Sequence, residues 1–308
     1  MKKKLKTWFF FLLRVFISLA ILFFLFKKTD INKVKDLFSK ISLDYYFLGL
    51  LSFFLFQVSV ALRWKIICKS WGFSKSWLFF YKNYLMGFSL NTVVPGLIGG
   101  DFLRAFLLTK AGLNWKKASF SVVLDRGYGF LGILTLLAIS LPLAKSFLPS
   151  AFFTFLKLLT LSVILLFLIV STILTFKIKK EIFKPLFFPY SLLLFFLGIV
   201  VQFFFVMEFV YLAKALSISL GIKTFFAIIP IVSFVSALPV TISGLGIREG
   251  SLSYFFSLLG KPIEYGVSLG LLAYTIILIL AIPGVLLYLK VKIKTEEIPE
   301  SVEVKENV

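Results

Sequence analysis

Residues 238–251 read LPVTISGLGIREGS: a proline, three glycines and an Arg-Glu pair set between two runs apolar enough to lie in a bilayer. Lipid offers no hydrogen-bonding partners, so backbone that leaves a helix at membrane depth has to be buried in protein or line a watery cavity. An ionisable side chain at that depth is by default a functional candidate. Residues 91–104, NTVVPGLIGGDFLR, repeat the plan with a proline, glycines, an acid and an arginine. The fold follows from how these two interruptions are arranged among the apolar runs around them.

The 308 residues are 60% hydrophobic with a mean hydropathy of +1.01, above the roughly 45–50% apolar usage of soluble domains. The expected class is an all-α, polytopic integral membrane protein. Lys and Arg outnumber Asp and Glu by 34 to 14. In a membrane protein that excess means orientation and contact with anionic lipid headgroups. Nucleic acid is the weaker reading, because the basic residues are spread over many loops. A single cysteine, Cys68, and no histidine exclude a disulfide within the chain, a Cys/His zinc site and a histidine triad. No nucleotide-binding loop, metal-ligand cluster or nucleophile with a base is visible, so no cofactor is expected and the chain does not read as an enzyme.

Six segments, about 8–26, 45–62, 119–141, 152–176, 186–213 and 265–289, are long and apolar enough to cross, since a span needs about 20 residues. The first is expected to be retained as a span, as a small-residue cleavage pattern is missing. Two more regions are interrupted: 77–108 at Pro95, Gly96, Gly99 and Gly100, and 224–259 at Pro239, Gly244 and Gly246. Each half is short for a span and reads as one arm of a re-entrant hairpin; the alternative is a broken full span, which makes eight spans in all. Three spans separate the hairpins. An odd number puts them on opposite faces, the topology of an inverted repeat whose broken helices meet near the midplane.

With the N-terminus inside, 18 Lys and Arg fall on the cytoplasmic side and 9 on the other, so both termini are expected in the cytoplasm of a multi-pass cell-membrane protein. The dissenting outer segment, 27–44, places Ile31, Val34, Leu37, Phe38 and Ile41 at helical spacing and reads as a surface amphipathic helix. Residues 1–294 form the expected single membrane domain. The acidic stretch 295–308 reads as a disordered cytoplasmic tail.

Outside loops and tail the acids are Asp101, Asp125, Glu208 and Glu249, and Arg104, Arg126 and Arg248 lie beside three of them. Asp125 and Arg126 point about 100° apart on a helix, so Arg126 is expected to reach back to Asp101. One reading makes these structural ion pairs. The other has the arginines meet an anionic headgroup, since a guanidinium forks onto phosphate oxygens and keeps its charge. The glycines would let backbone N–H groups approach the same anion, and a half-helix starting near Ile247 would add its positive end. The candidate binding residues are therefore Asn91, Pro95, Gly99, Gly100, Asp101, Arg104, Asp125, Arg126, Pro239, Gly244, Gly246, Arg248 and Glu249. Glu208 reads as a proton site or an interfacial carboxylate, the second being favoured. Arg63-Trp64 reads as an interfacial anchor, Cys68 as a thiol facing the cytoplasm, and no aromatic cage stands out.

Leu62-Arg63-Trp64, the Asn91–Arg104 stretch, SVVLDRGYG at 121–129 and LPVTISGLGIREG at 238–250 together resemble the flippase-like membrane family related to the transmembrane region of lysylphosphatidylglycerol synthases. The likeness runs over about residues 5–290. It implies a membrane protein that moves lipids with anionic or modified headgroups. In bifunctional members a cytosolic aminoacyltransferase domain makes the lipid that the membrane part flips. Only fourteen residues follow Lys294 here, so no synthase domain is expected, and that activity does not carry over. The leading expectation is a translocator of phospholipids or polyprenyl-phosphate lipids. Its rivals are a non-transporting scaffold that docks a lipid-modifying enzyme or glycosyltransferase and, less favoured, a membrane-embedded lipid transferase.

Overall fold

The computed structural model describes residues 16–93, 99–237, 244 and 246–290. Pro95, Pro239, the beginning of the first expected span and the acidic tail lie outside these residues. Helix α1 covers 16–28 and is followed by α2 (Ile31–Ser39), α3 (Leu43–Ser70), α4 (Trp77–Val93), α5 (Gly99–Lys110) and α6 (Trp115–Ser140). Then come α7 (Ser150–Ile173), α8 (Tyr190–Ala215), α9 (Ile222–Ser236), α10 (Ile247–Leu258) and α11 (Ile263–Lys290). Among the described residues five helical stretches are long and apolar enough to cross a membrane: Leu43–Ser70, Trp115–Ala144, Ser150–Ile178, Tyr190–Ala215 and Ile263–Lys290. The protein is an all-α polytopic membrane protein.

Local chemistry sets the helix boundaries. Asp30 and Asn114 cap α2 and α6, their side chains accepting from the N–H groups of Asn32 and Lys116 at 2.9 and 3.0 Å. Each satisfies a donor that the first turn leaves open. Pro185 and Pro189 stand before α8, so it starts at Tyr190 rather than near residue 186: proline removes a backbone donor and ends a continuous ladder. The expected amphipathic helix forms as α2, with Leu37, Phe38 and the following Ile41 against the core.

The two interrupted regions become helix pairs, α4 with α5 and α9 with α10, each pair packed together. The packing of α3–α6 is repeated by α8–α11. Contacts α3–α4, α4–α5, α5–α6, α3–α6, α6–α8 and α6–α9 have as counterparts α8–α9, α9–α10, α10–α11, α8–α11, α3–α11 and α4–α11, and α3–α8 maps onto itself. Gly49 lies against Leu212 and the Phe56 ring 5.7 Å from that of Phe205, so corresponding helices α3 and α8 run antiparallel. Helix α7 buries only Leu156, Thr160 and Ser171 and sits at the edge.

Small residues bring the backbones together, as association between helices in lipid requires. A Cβ at Gly132 would strike Gly198 of α8, and one at Gly284 would strike Leu85 and Ser89 of α4. Helix α11 also serves as a ruler. Ser89 donates to the Ala281 carbonyl at 2.6 Å, and Glu249 packs against Gly270. These points are about 16 Å apart at 1.5 Å per residue. Helix α4 ends four residues past Ser89 and α10 begins two before Glu249, so their inner ends converge on the middle of α11 from opposite ends.

Candidate functional site

The first charge cluster joins three helices. Asp125 of α6 accepts from Arg63 Nε of α3 at 2.9 Å and from Arg104 Nη2 of α5 at 2.8 Å, one arginine per oxygen. All three are buried, at 2%, 3% and 4% exposure. The Arg104 guanidinium lies 4.1 Å from the Trp64 ring centroid and 5.4 Å from that of Tyr84, so ring faces cover the cation where water cannot. Trp64 Nε1 donates to Ser121 Oγ at 2.9 Å. Gly87 and Gly129 leave room for the Arg104 and Arg63 side chains, which a Cβ at either position would contact.

At the rim of this cluster Arg126 Nε donates to Asp101 Oδ2 at 2.5 Å, as expected. Arg104 Nη1 is 3.9 Å from Asp101 Oδ1, so the neighbouring pair is the looser one. The Arg126 side chain is 61% exposed. Three guanidinium groups thus face two carboxylates, and the surplus positive charge is presented at the rim. Arg63 Nη1 and Arg104 Nε have no hydrogen-bond partner among the described residues.

The second cluster is local. Arg248 donates through Nε and Nη2 to Glu249 Oε1 at 3.0 and 2.7 Å, and through Nη2 to the Gly270 carbonyl at 3.3 Å. Glu249 Oε2 accepts from the Gly246 N–H at 2.8 Å. The Tyr274 ring centroid is 5.8 Å from the guanidinium. Gly244 and Gly246 have φ of +76° and +84°, a left-handed conformation that glycine adopts without strain.

Helix α10 begins at Ile247, as the sequence implied, but two of the N–H groups at its start are taken within the hairpin, that of Gly246 by Glu249 and that of Arg248 by the Gly244 carbonyl. Likewise, the Gly100 N–H at the start of α5 donates to Asn91 Oδ1 at 3.0 Å. Glycine here serves close packing more than anion approach: a Cβ on Gly100 would run into Gly87 O and Asn91. Gly99, half-buried, opens α5. Asn91, Gly99, Gly100, Asp101, Arg104, Asp125 and Arg126 fall on α4–α6, and Gly244, Gly246, Arg248 and Glu249 on the other hairpin, so the expected site is two clusters.

Four expectations are corrected. Arg63 and Trp64 are buried, with Asp125 and Ser121 as partners, and are no interfacial anchor. The signal was the apolar Ile66-Ile67-Cys68 beyond them: α3 runs on to Ser70, past the arginine that Asp125 neutralises. Cys68 is fully buried and offers no thiol to a reagent in either compartment. Trp64 and Tyr84 form an aromatic cover over a cation that composition did not reveal. Glu208 is 1% exposed, with neither carboxyl oxygen bonded among the described residues, so it is no interfacial carboxylate.

No curated protein matches the chain. The profile of the lysylphosphatidylglycerol synthase TM region matches residues 11–284, which include both hairpins and Asp101, Asp125, Glu208 and Glu249. On that match the chain belongs to the lysylphosphatidylglycerol synthase TM region family.

Proposed function

We infer that the protein moves lipids bearing an anionic, phosphate-containing headgroup between leaflets, of phospholipid or polyprenyl-phosphate type. The observation that carries this reading is Arg126: an exposed guanidinium, anchored by Asp101 and backed by Arg63 and Arg104 around a single aspartate. A phosphate monoester or diester is the ligand a forked, always-charged donor suits. Arg104 and Asp125 hold the surrounding geometry, Asn91 and the glycines keep the hairpin closed, and Arg248 and Glu249 form the corresponding station in the other half. The repeated packing and the antiparallel α3 and α8 support an inverted repeat with re-entrant hairpins. Meeting hairpin ends at the midplane are where broken-helix transporters bind substrate. Removing buried Arg63 from the loop count leaves the cytoplasmic excess of Lys and Arg in place, which supports both termini inside a cell membrane.

Purified protein reconstituted in vesicles with a fluorescent anionic phospholipid, a zwitterionic one or a polyprenyl phosphate tests this. Transbilayer movement of the phosphate-bearing anionic lipid should accelerate over protein-free vesicles, and Arg126→Ala should slow it several-fold while the protein stays folded and monodisperse. No acceleration for any of these lipids would sink the reading. A stably co-purifying lipid-modifying enzyme or glycosyltransferase alongside that result would favour a scaffold.

A further inference from the structure

The Arg126 guanidinium is exposed, but one edge suited to a phosphate is already taken. A guanidinium grips paired oxygens through two parallel N–H groups, and one such edge runs from Nε to the nearer Nη. Asp101 Oδ2 accepts from Arg126 Nε at 2.5 Å, so a carboxylate of the chain itself sits where one phosphate oxygen would sit. The other oxygen of that carboxylate, Oδ1, is buried and has no hydrogen-bond partner among the described residues.

A second arginine stands ready for it. Arg104 Nη1 lies 3.9 Å from Asp101 Oδ1, and an approach of about 1 Å would bring the pair to ordinary hydrogen-bond length. Arg104 is one helical turn along α5, and its Nε has no partner among the described residues. The two arginines differ in setting: the Arg126 side chain is 61% exposed and that of Arg104 5%, while Asp101, at 14%, reaches both. The scaffold around them is fixed separately. Asp125 holds Arg104 Nη2 and Arg63 Nε at 2.8 and 2.9 Å, and Asn91 Oδ1 accepts from the Gly100 N–H at the start of α5. Turning the Asp101 side chain therefore leaves the helices in place.

We propose that Asp101 is a displaceable stand-in for the lipid phosphate. It holds Arg126 until a phosphate takes the Nε edge, shifts to Arg104 while the phosphate is bound, and returns to Arg126 to expel it. Removing a phosphate from a bare arginine would be slow; a carboxylate that competes for the same N–H and has a second partner to wait on keeps binding reversible. That the displaced group belongs to a lipid in transit rests on the transport reading above.

Infrared difference spectra of the full chain in micelles, with and without dioctanoylphosphatidic acid, read the exchange directly. Binding should produce a paired loss and gain of carboxylate stretching bands that is absent in Asp101→Asn and shifted in Asp101→Glu. Loss of a repelling charge would by itself tighten binding, so the bands, not the affinity, decide whether Asp101 moves. A wild-type spectrum with no such pair, or a pair that persists in a monodisperse Asp101→Asn, overturns the proposal; should that variant not fold, an unshifted pair in Asp101→Glu does so. In vesicles Asp101→Asn should bind the lipid several-fold more tightly yet move it more slowly, and unchanged or weaker binding also overturns the exchange. Arg126→Ala should abolish the band pair and weaken binding. If Arg126→Ala weakens binding while wild type shows no carboxylate bands, the exchange falls and the Arg126 site stands; if Arg126→Ala binds like wild type, the site reading itself falls and takes the exchange with it. Glycerol phosphate giving the same bands at the same concentration upholds the exchange but assigns the site to free phosphate, against the transport reading.

Discussion

The cluster around Asp125 and the cluster around Glu249 both set arginine against a buried carboxylate, one in each half, but they tie different things together. Asp125 joins α3, α5 and α6 through arginines 62 and 21 residues away in the chain. Glu249 closes on its own neighbours, Arg248 and Gly246, and the charged groups of that cluster meet α11 at the Gly270 carbonyl and the Tyr274 ring. The first half is therefore braced across its helices, whereas the second keeps its charges within one hairpin. An arginine held by its own neighbour can be released without taking three helices apart, which makes the second hairpin the better candidate for the half that rearranges.

Removing the two carboxylates gives the largest test of this contrast. Asp125→Asn leaves two buried guanidinium groups with a weak acceptor between them, and stripping one partner from a buried ion pair costs about 3–5 kcal/mol. Glu249→Gln strands one arginine that keeps the Gly270 carbonyl and the Tyr274 ring, and loses hydrogen bonds worth about 2 kcal/mol. Unfolding of both variants in mixed detergent micelles should rank them in that order. Equal losses would show that the second hairpin is as firmly braced as the first.

The glycines offer a smaller test, because the two hairpins need them for different reasons. At Gly100 the space is missing: a Cβ would press on Gly87 O and on Asn91, and forcing extra atoms into a packed core costs about 1–3 kcal/mol. At Gly244 the space is tight but the conformation is what excludes other residues, at φ +76°, a penalty of about 1–2 kcal/mol for an L side chain. Gly100→Ala should lower the unfolding midpoint more than Gly244→Ala. Asn is the substitution that tells the mechanisms apart, since it tolerates positive φ and is larger than Ala. Gly244→Asn should recover part of the loss, and Gly100→Asn should deepen it.

How much of this could be read in the chain depends on the range of the interaction. Helix class, the five described spans, the broken hairpins, α2 and the Arg126–Asp101 pair follow from hydropathy, proline, glycine and charge spacing, all of which act within a few turns. Arg63 was misplaced because its partner is 62 residues away, and without Asp125 in view an arginine near the end of an apolar run looks interfacial. Glu208 was misplaced for the same reason: hydropathy locates a carboxylate along a helix but not which neighbours enclose it. The Arg104 cover needed Trp64 and Tyr84 brought from two other helices. The repeat could be inferred only as a count of spans, because matching it contact by contact requires α4 to pack on α11 and α6 on α9.

The smallest effect is expected where charges meet outside the core. Lys117 of α6 donates to Glu181 Oε1 at 2.6 Å, and the Glu181 side chain is 70% exposed. That hydrogen bond, with the charge of Lys117, holds the Glu181 carboxyl below its ordinary value. The pair therefore contributes at pH values above the unfolded carboxyl's pKa, about 4.3, and the contribution is lost as the pH falls through the folded value. It joins α6, the helix that carries Asp125, to the 3₁₀ turn Glu181–Leu186 before α8. If proximity alone set the strength of a brace, it would matter as much as Asp125. Solvent and salt screen it instead, so Lys117→Ala should match wild type in high salt, differ slightly in low salt near neutral pH, and converge with it again in acid. Thermal unfolding across pH at two ionic strengths measures this, and a loss as large as that of Glu249→Gln would mean that the contrast between the halves does not come from burial.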